Sequence, residues 1–530
     1  MSKRSRLLAV GAVVTATGLV AAGVTVANAA AAPPPLAFVA ATNALTAERY
    51  VDESGEAWLY LQLGTHVIAG KDPLEIRVNR TAYSKPLVAK RAVWTGGKKT
   101  WQTLPAGMVT DFTGLKSFTK VTIKNKAGAV VQSYDQDYCP NAYDTGRTRP
   151  DAPSDNPYPV GCADAGGNPF WLGAVWGVQA GWSSPTDNVG RWGGGANVDV
   201  PAGEYTVDVA VNKNYVDFFK IPAKSSKASM SLTVTQEEAE EGEEGLAETQ
   251  AKLRAKDGAP PAVASEHDEH AAEGDPKRQV SAFSADLRPP ARRPTTFAAA
   301  PSKGPKPDLK SLPAWGIELD KESEAGKTYV NFGATVWNGG TSPLVVDGFR
   351  RTGTELMDAY QYFFDANGKQ VGSTAAGTME WDKREGHMHW HFTDFAQYRL
   401  LKADKKVAVI SGKEAFCLAN TDAVDYTIPN AKWRPSNTDL STSCGQNTSV
   451  AVRQVLDVGG GDTYGQSLPG QSFDVTDLPN GTYYIEVLAN PEKKLAEVST
   501  ANNSSLRKVV LGGTKANRTL TVPPHEGITG

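Results

Sequence analysis

The chain has 530 residues, 40% of them hydrophobic and 21% charged, which is long enough for several domains. Its formal net charge of −3 gives no electrostatic basis for holding nucleic acid or an anionic membrane surface. Four cysteines in an exported chain would make two disulfides, and three pairings are open.

In chain order, Lys3, Arg4 and Arg6 precede an apolar run from Leu7 to about Ala27, and Ala27-Asn28-Ala29 supplies small residues for cleavage. Residues 1–29 therefore read as a secretory signal, which predicts a secreted or cell-surface protein. The run is long enough to span a bilayer, so an uncleaved anchor is the competing reading. No other run approaches that length. Residues 30–235 carry short Val-, Tyr-, Phe- and Thr-rich runs (Trp58–Leu63, Leu74–Val78, Thr119–Lys124, Tyr205–Val211) separated by Gly, Asn and Pro, the pattern of an antiparallel β-sandwich. Proximity favours a bridge between Cys139 and Cys162. Trp171, Trp176, Trp182 and Trp192 read as core and turn residues, with a carbohydrate- or protein-binding surface as the alternative. Residues 236–310 run through QEEAEEGEEGLAE and EHDEH into Pro-, Ala- and Arg-rich sequence, which buries too little apolar surface to fold and reads as a long disordered linker. His267 and His270 in it read as part of a solvated tether.

Residues 311–530 return to strand patterning in Thr328–Trp337, Tyr360–Phe364 and Tyr483–Leu488, so the fold class is all-β, two antiparallel sandwiches joined by a linker. Three of the seven histidines fall within five residues, in Gly386-His387-Met388-His389-Trp390-His391. Imidazole suits copper, zinc, iron or nickel. His389 to Leu400 reads as one strand, so the histidines share a face while Trp390 and Phe392 take the core face. On a flat strand the outer two would sit roughly 13 Å apart at Cα, so one shared ion demands a bend, for which Gly386 is a candidate. The alternative is a surface patch that takes up metal adventitiously.

The two halves also echo each other. Val200-Pro201-Ala202-Gly203-Glu204-Tyr205 is repeated 278 residues on as Leu478-Pro479-Asn480-Gly481-Thr482-Tyr483, and the same offset lays Cys139 on Cys417. Proximity likewise favours Cys417 with Cys444; Cys162 and Cys444 are displaced by a few positions, and if the pairs correspond each loop contributes roughly 3 kcal/mol in the chain-entropy model. A duplicated module is implied, and it acts as an internal control. The first copy has Val109–Thr113 opposite the histidines, Asp135 opposite Lys413 and Thr186 opposite Tyr464, so metal chemistry belongs to the second copy.

Three motifs then occur in order: the histidine triplet followed by Asp394; Lys413 three residues before Phe416-Cys417-Leu418; and Asp462-Thr463-Tyr464-Gly465. With Phe473-Asp474-Val475-Thr476-Asp477 and Asn490-Pro491 they make Leu312 to Leu511 resemble the catalytic domain of the lysyl oxidase family. The resemblance implies copper on His387, His389 and His391. It also implies a lysine tyrosylquinone cofactor made when the oxidised ring of Tyr464 takes up the Lys413 amine. A carbonyl cofactor fits amine oxidation because ordinary side chains are poor electron sinks. Asp394 is a candidate base or a carboxylate orienting a histidine, with Asp462 also open. Tyr464, after three glycines, otherwise reads as part of a flexible loop.

The implied activity is a copper-dependent amine oxidase that uses molecular oxygen. It would turn lysine side chains of peptides or proteins, or small primary amines, into aldehydes with release of ammonia and hydrogen peroxide. The competing class is a non-enzymatic copper-binding cell-envelope module; a zinc hydrolase lacks its His-Glu-x-x-His. Two departures from animal members stand out: the site has only Cys417 and Cys444 nearby, and the amino-terminal copy is foreign to them.

Overall fold

Strand-forming runs dominate the folded chain as their residue types demand. The computed structural model describes residues 35–51, 57–59, 61–142, 144–162, 167–187, 198–236, 293–294, 300–301, 303–383, 388–412, 415–435, 444–465 and 470–529. The predicted signal segment, the body of the predicted linker, Trp192, His267, His270, and the site candidates His387 and Lys413 lie outside the described residues. Among the described residues there are six sheets and one α-helix, Lys213–Phe219.

In the amino-terminal half a six-stranded sheet is ordered Ala57–Leu59, Ala44–Val51, Lys227–Gln236, Gly203–Val211, Leu115–Asn125, Val130–Tyr138. It closes over a core of Phe118, Val121, Tyr138, Trp176, Val207 and Leu232. Trp171 and Trp176 are buried, which places them in packing rather than on a binding surface. Lys227–Gln236 pairs in parallel with Ala44–Val51, an exception to the antiparallel expectation.

The carboxy-terminal half repeats this plan. Its five-stranded sheet runs Val407–Ile410, Ala396–Lys402, Gly481–Ala489, Ser504–Thr514, Asn517–Thr521, the same hairpin-then-return order as Val130–Tyr138, Leu115–Asn125, Gly203–Val211 and Lys227–Gln236. Even a local bond is repeated: the Tyr205 hydroxyl donates to the Pro201 carbonyl at 2.7 Å and the Tyr483 hydroxyl to that of Pro479 at 2.8 Å. Gly203 and Gly481 open the two strands at φ 157° and 154°. Both disulfides pair as proximity suggested, Cys139 with Cys162 and Cys417 with Cys444.

The second large sheet of this half carries the histidines, in the order Ala415–Phe416, Trp390–Thr393, Gln370–Trp381, Leu356–Phe364, Leu344–Arg350, Ala451–Leu456. The run His389 to Leu400 is not one strand. Asp394 adopts φ 61°, a left-handed corner that ends Trp390–Thr393 and lets the chain enter the other sheet at Ala396. The sequence hides this corner because apolar alternation continues across it. Between the sheets lies a core that includes Phe332, Trp390, Phe392, Tyr398, Phe416 and Tyr464. On the other face of the histidine sheet Arg453 donates from Nε and Nη2 to both Asp347 carboxylate oxygens, at 2.5 and 2.6 Å.

Residues from Pro34 onward form a single contact unit. Leu172 and Val424 meet backbone to backbone at 2.8 Å, and Phe170 packs with Leu312, Trp315, Trp337 and Val424. The amino-terminal half therefore covers the strand Tyr329–Asn338 on its side away from the core.

Candidate metal centre

The histidine strand begins where the chain bends at His389, and Trp390–Thr393 is hydrogen-bonded on both sides. Trp390 lies opposite Trp381 and Phe392 opposite Met379, with both Trp390 and Phe392 in the core. His389 and His391 thus take the other face, as strand alternation requires. They are 8% and 1% exposed, and their Nε2 atoms approach to 2.7 Å. Without a cation one ring donates its N–H to the other. Imidazole nitrogens bound near 2.0–2.1 Å at roughly right angles on one ion would be about 3 Å apart, so this pair needs only a small adjustment to share a metal.

A carboxylate stands behind the pair. Asp382 Oδ2 is 3.3 Å from His391 Nδ1, with side-chain exposures of 9% and 1%. An Nδ1–H facing a carboxylate leaves the Nε2 lone pair for a metal. Asp382 is fixed in turn: its amide donates to the His389 carbonyl at 3.1 Å, across the hairpin set by Trp381 and Trp390. The sequence reading missed Asp382; its one signal was a carboxylate just past the strand Gln370–Trp381. Asp394, the candidate base, instead makes an ion pair with Lys494 at 2.6 Å from the corner. Among the described residues no three ligand side chains converge, the third histidine of the triplet, His387, lying outside them.

Tyr464 is not in a flexible loop. It ends the strand Gly461–Tyr464, which pairs with Tyr329–Asn338 in the register Ala334 to Tyr464 and Thr335 to Thr463. The glycines before it are small for packing reasons. A Cβ on Gly461 would meet Val424 Cγ2 at 2.8 Å and Thr335 Cγ2 at 2.9 Å, and Gly459 sits at φ 86° with the Asp425 carbonyl 2.5 Å from where a Cβ would be. The Tyr464 side chain is 5% exposed, meets Phe416 edge-on at 5.0 Å, and donates its hydroxyl to the Cys417 carbonyl at 3.0 Å. Phe416 pairs with Phe392 of the histidine strand, and Ala415 with Thr393. The phenol therefore reaches the edge strand that begins two residues after Lys413. It does so from the core side, whereas His389 and His391 project from the opposite face.

Comparison with known proteins agrees with these motifs. The lysyl oxidase family model matches residues 359–519. Human protein-lysine 6-oxidase is 32% identical over 125 residues, 23% of this chain and 26% of that protein. The pig protein-lysine 6-oxidase is 31% identical over 125 residues, 23% of this chain and 44% of that protein. Mouse lysyl oxidase homolog 4 is 29% identical over 129 residues, 24% of this chain and 15% of that protein. The chain thus spans less than half the length of each of these relatives. A solved biofilm-associated protein BSP domain, with a TM-score of 0.12 and 8% identity, has no bearing on the fold. The histidine strand Trp390–Thr393, the Phe416-Cys417 edge and the Tyr464 strand all fall within the matched residues: the carboxy-terminal domain of this chain is a lysyl oxidase family domain.

Proposed function

We propose that residues 311–530 form a copper-dependent amine oxidase acting on lysine side chains of peptides or proteins, or on small primary amines, outside the cell. The observation that supports it most is the buried pair His389 and His391 with Asp382 behind it, inside a lysyl oxidase family domain. His387 would complete the ligand set. Bound copper would supply the oxygen chemistry that oxidises a phenol, and the quinone made from Tyr464 and Lys413 would supply an electron sink for the amine.

The residues divide the work accordingly. Asp382 holds His391 in the tautomer whose Nε2 is a ligand. Trp390 and Phe392 anchor the strand in the core, so the imidazoles have little freedom. Tyr464 waits on the core side of the edge strand with its hydroxyl on the Cys417 carbonyl, and reaching copper held by His389 and His391 on the opposite face requires that bond to break. Maturation is therefore a conformational step as well as a chemical one. The Cys417–Cys444 bridge and the Trp390 amide, which donates to the Cys444 carbonyl at 3.0 Å, tie that edge to the histidine strand.

The test is copper loading in air, followed by an alkylamine. Quinone absorbance and peroxide release are expected, with both lost in His387→Ala and His389→Ala. Copper binding by the wild type with neither signal would overturn the oxidase and leave a copper-binding envelope module.

A further inference from the structure

The strand that carries Tyr464 is held from both sides, and the outer clamp comes from the amino-terminal half. Tyr464 faces the core; Thr463, next along the strand, faces the other way. The Thr463 hydroxyl meets Thr335 Oγ1 at 2.7 Å and donates to Asp422 Oδ2 at 3.1 Å. Its amide donates to Thr421 Oγ1 at 2.7 Å. Into this cluster reaches one side chain from the other half of the molecule, Asn168. Its Nδ2 donates to Asp422 Oδ2 at 2.5 Å and to Thr335 Oγ1 at 3.2 Å, while its Oδ1 accepts the Phe170 amide at 2.9 Å. Both N–H bonds and one lone pair are thus assigned, and the amide orientation is fixed by its partners.

The segment bearing Asp422 is pinned by the same half. Leu172 N–H donates to the Val424 carbonyl at 2.8 Å and Tyr426 N–H to that of Gly173 at 2.8 Å. Gly173 has no room to grow, since a Cβ would lie 2.2 Å from Asp425 Oδ1. Farther along, the Arg434 guanidinium donates to the Tyr158 carbonyl at 2.8 Å, and Trp433 stacks on Tyr158 at 5.9 Å. Asp422 and Gly461 exchange backbone bonds of 3.0 and 2.8 Å, so whatever fixes the segment fixes the start of the tyrosine strand.

We propose that Asn168 is a positioning residue: through Asp422, Thr335 and Thr463 the amino-terminal half fixes the strand Gly461–Tyr464 and so sets the phenol on the Cys417 carbonyl. The half without the histidine triplet is, on this account, a brace for the half that carries it. The consequence for cofactor formation rests on the function proposed above; the bracing itself does not.

The test is hydrogen–deuterium exchange on the copper-free full-length protein, comparing wild type, Asn168→Ala and Asn168→Asp. Asn168→Asp keeps the size and the acceptor for Phe170 but turns a carboxylate toward Asp422. In both variants amides in 459–465 and 419–427 should exchange about tenfold or more faster, while Gly203–Val211 and Gly481–Ala489 keep wild-type protection. Unchanged exchange in 459–465 in either folded variant overturns the proposal. Copper and air are then added, and the yield of Lys413–Tyr464 cross-linked peptide per bound copper should fall several-fold in both variants. Absence of the cross-link from wild type as well would overturn the oxidase reading and leave the exchange result to decide the brace.

Discussion

Asp382 shows how much one side chain can decide. In the proposed copper site its carboxylate, 3.3 Å from His391 Nδ1, would favour the ring form whose Nε2 is a ligand, and outer carboxylates of this kind typically change metal affinity by about 10–100-fold. Asp382→Asn should therefore weaken copper binding by about that factor in a chelator competition while the thermal midpoint moves little. Equal affinity would mean that the carboxylate does not orient the ring. The histidines themselves were legible because their period of two and the apolar residues between them are local features. Asp382 was not, since its place depends on which residue of the preceding strand lies opposite Trp390, and sequence pattern does not set that register.

At the scale of elements, the glycine run before Tyr464 reads from sequence as looseness and turns out to be tight packing. Only the absence of side chains lets the strand lie under Val424, Asp425 and Tyr426. Gly461→Ala should cost about 1–3 kcal/mol in urea unfolding, because the new methyl presses on both Val424 and Thr335. A neutral result would show that the segment yields freely. The corner at Asp394 was hidden for a related reason: hydrophobic alternation marks burial, and burial continues through a left-handed residue that changes sheets. Removing the Cys417–Cys444 bridge with a double Ser replacement should lower stability by about 2–5 kcal/mol and loosen the edge beside the histidine strand. Loss confined to stability, with metal affinity intact, would show that the edge does not hold the imidazoles in place.

For the whole molecule, the strand-rich character of the two halves could be read from spacing and residue type, whereas their docking could not. The contact surface uses scattered residues such as Tyr83, Asn168, Phe170 and Trp433, none of which forms a motif. One of its members gives the assembly a pH dependence. His525 packs edge-on against Tyr83 and Phe170, and burial together with the Arg507 guanidinium pulls its pKa below 6.5, with Glu526 opposing. Arg80 also lies over Tyr83, at 5.0 Å. Above pH 6.5 the ring is neutral in both states; as pH falls through 6.5 the unfolded chain takes the proton first, so stability drops with acid. His525→Gln should flatten the fall in melting temperature between about pH 7 and pH 5. An unchanged slope would assign that fall to other groups.

The account turns on whether the phenol at 464 and the amine at 413 become one group beside copper. Peptide mapping by mass spectrometry, before and after copper loading in air, reads this directly. The expected result is a covalently joined pair of peptides containing Lys413 and Tyr464, absent without copper and absent from His389→Ala. Quantitative recovery of both peptides separate and unmodified from fully copper-loaded wild type would contradict it.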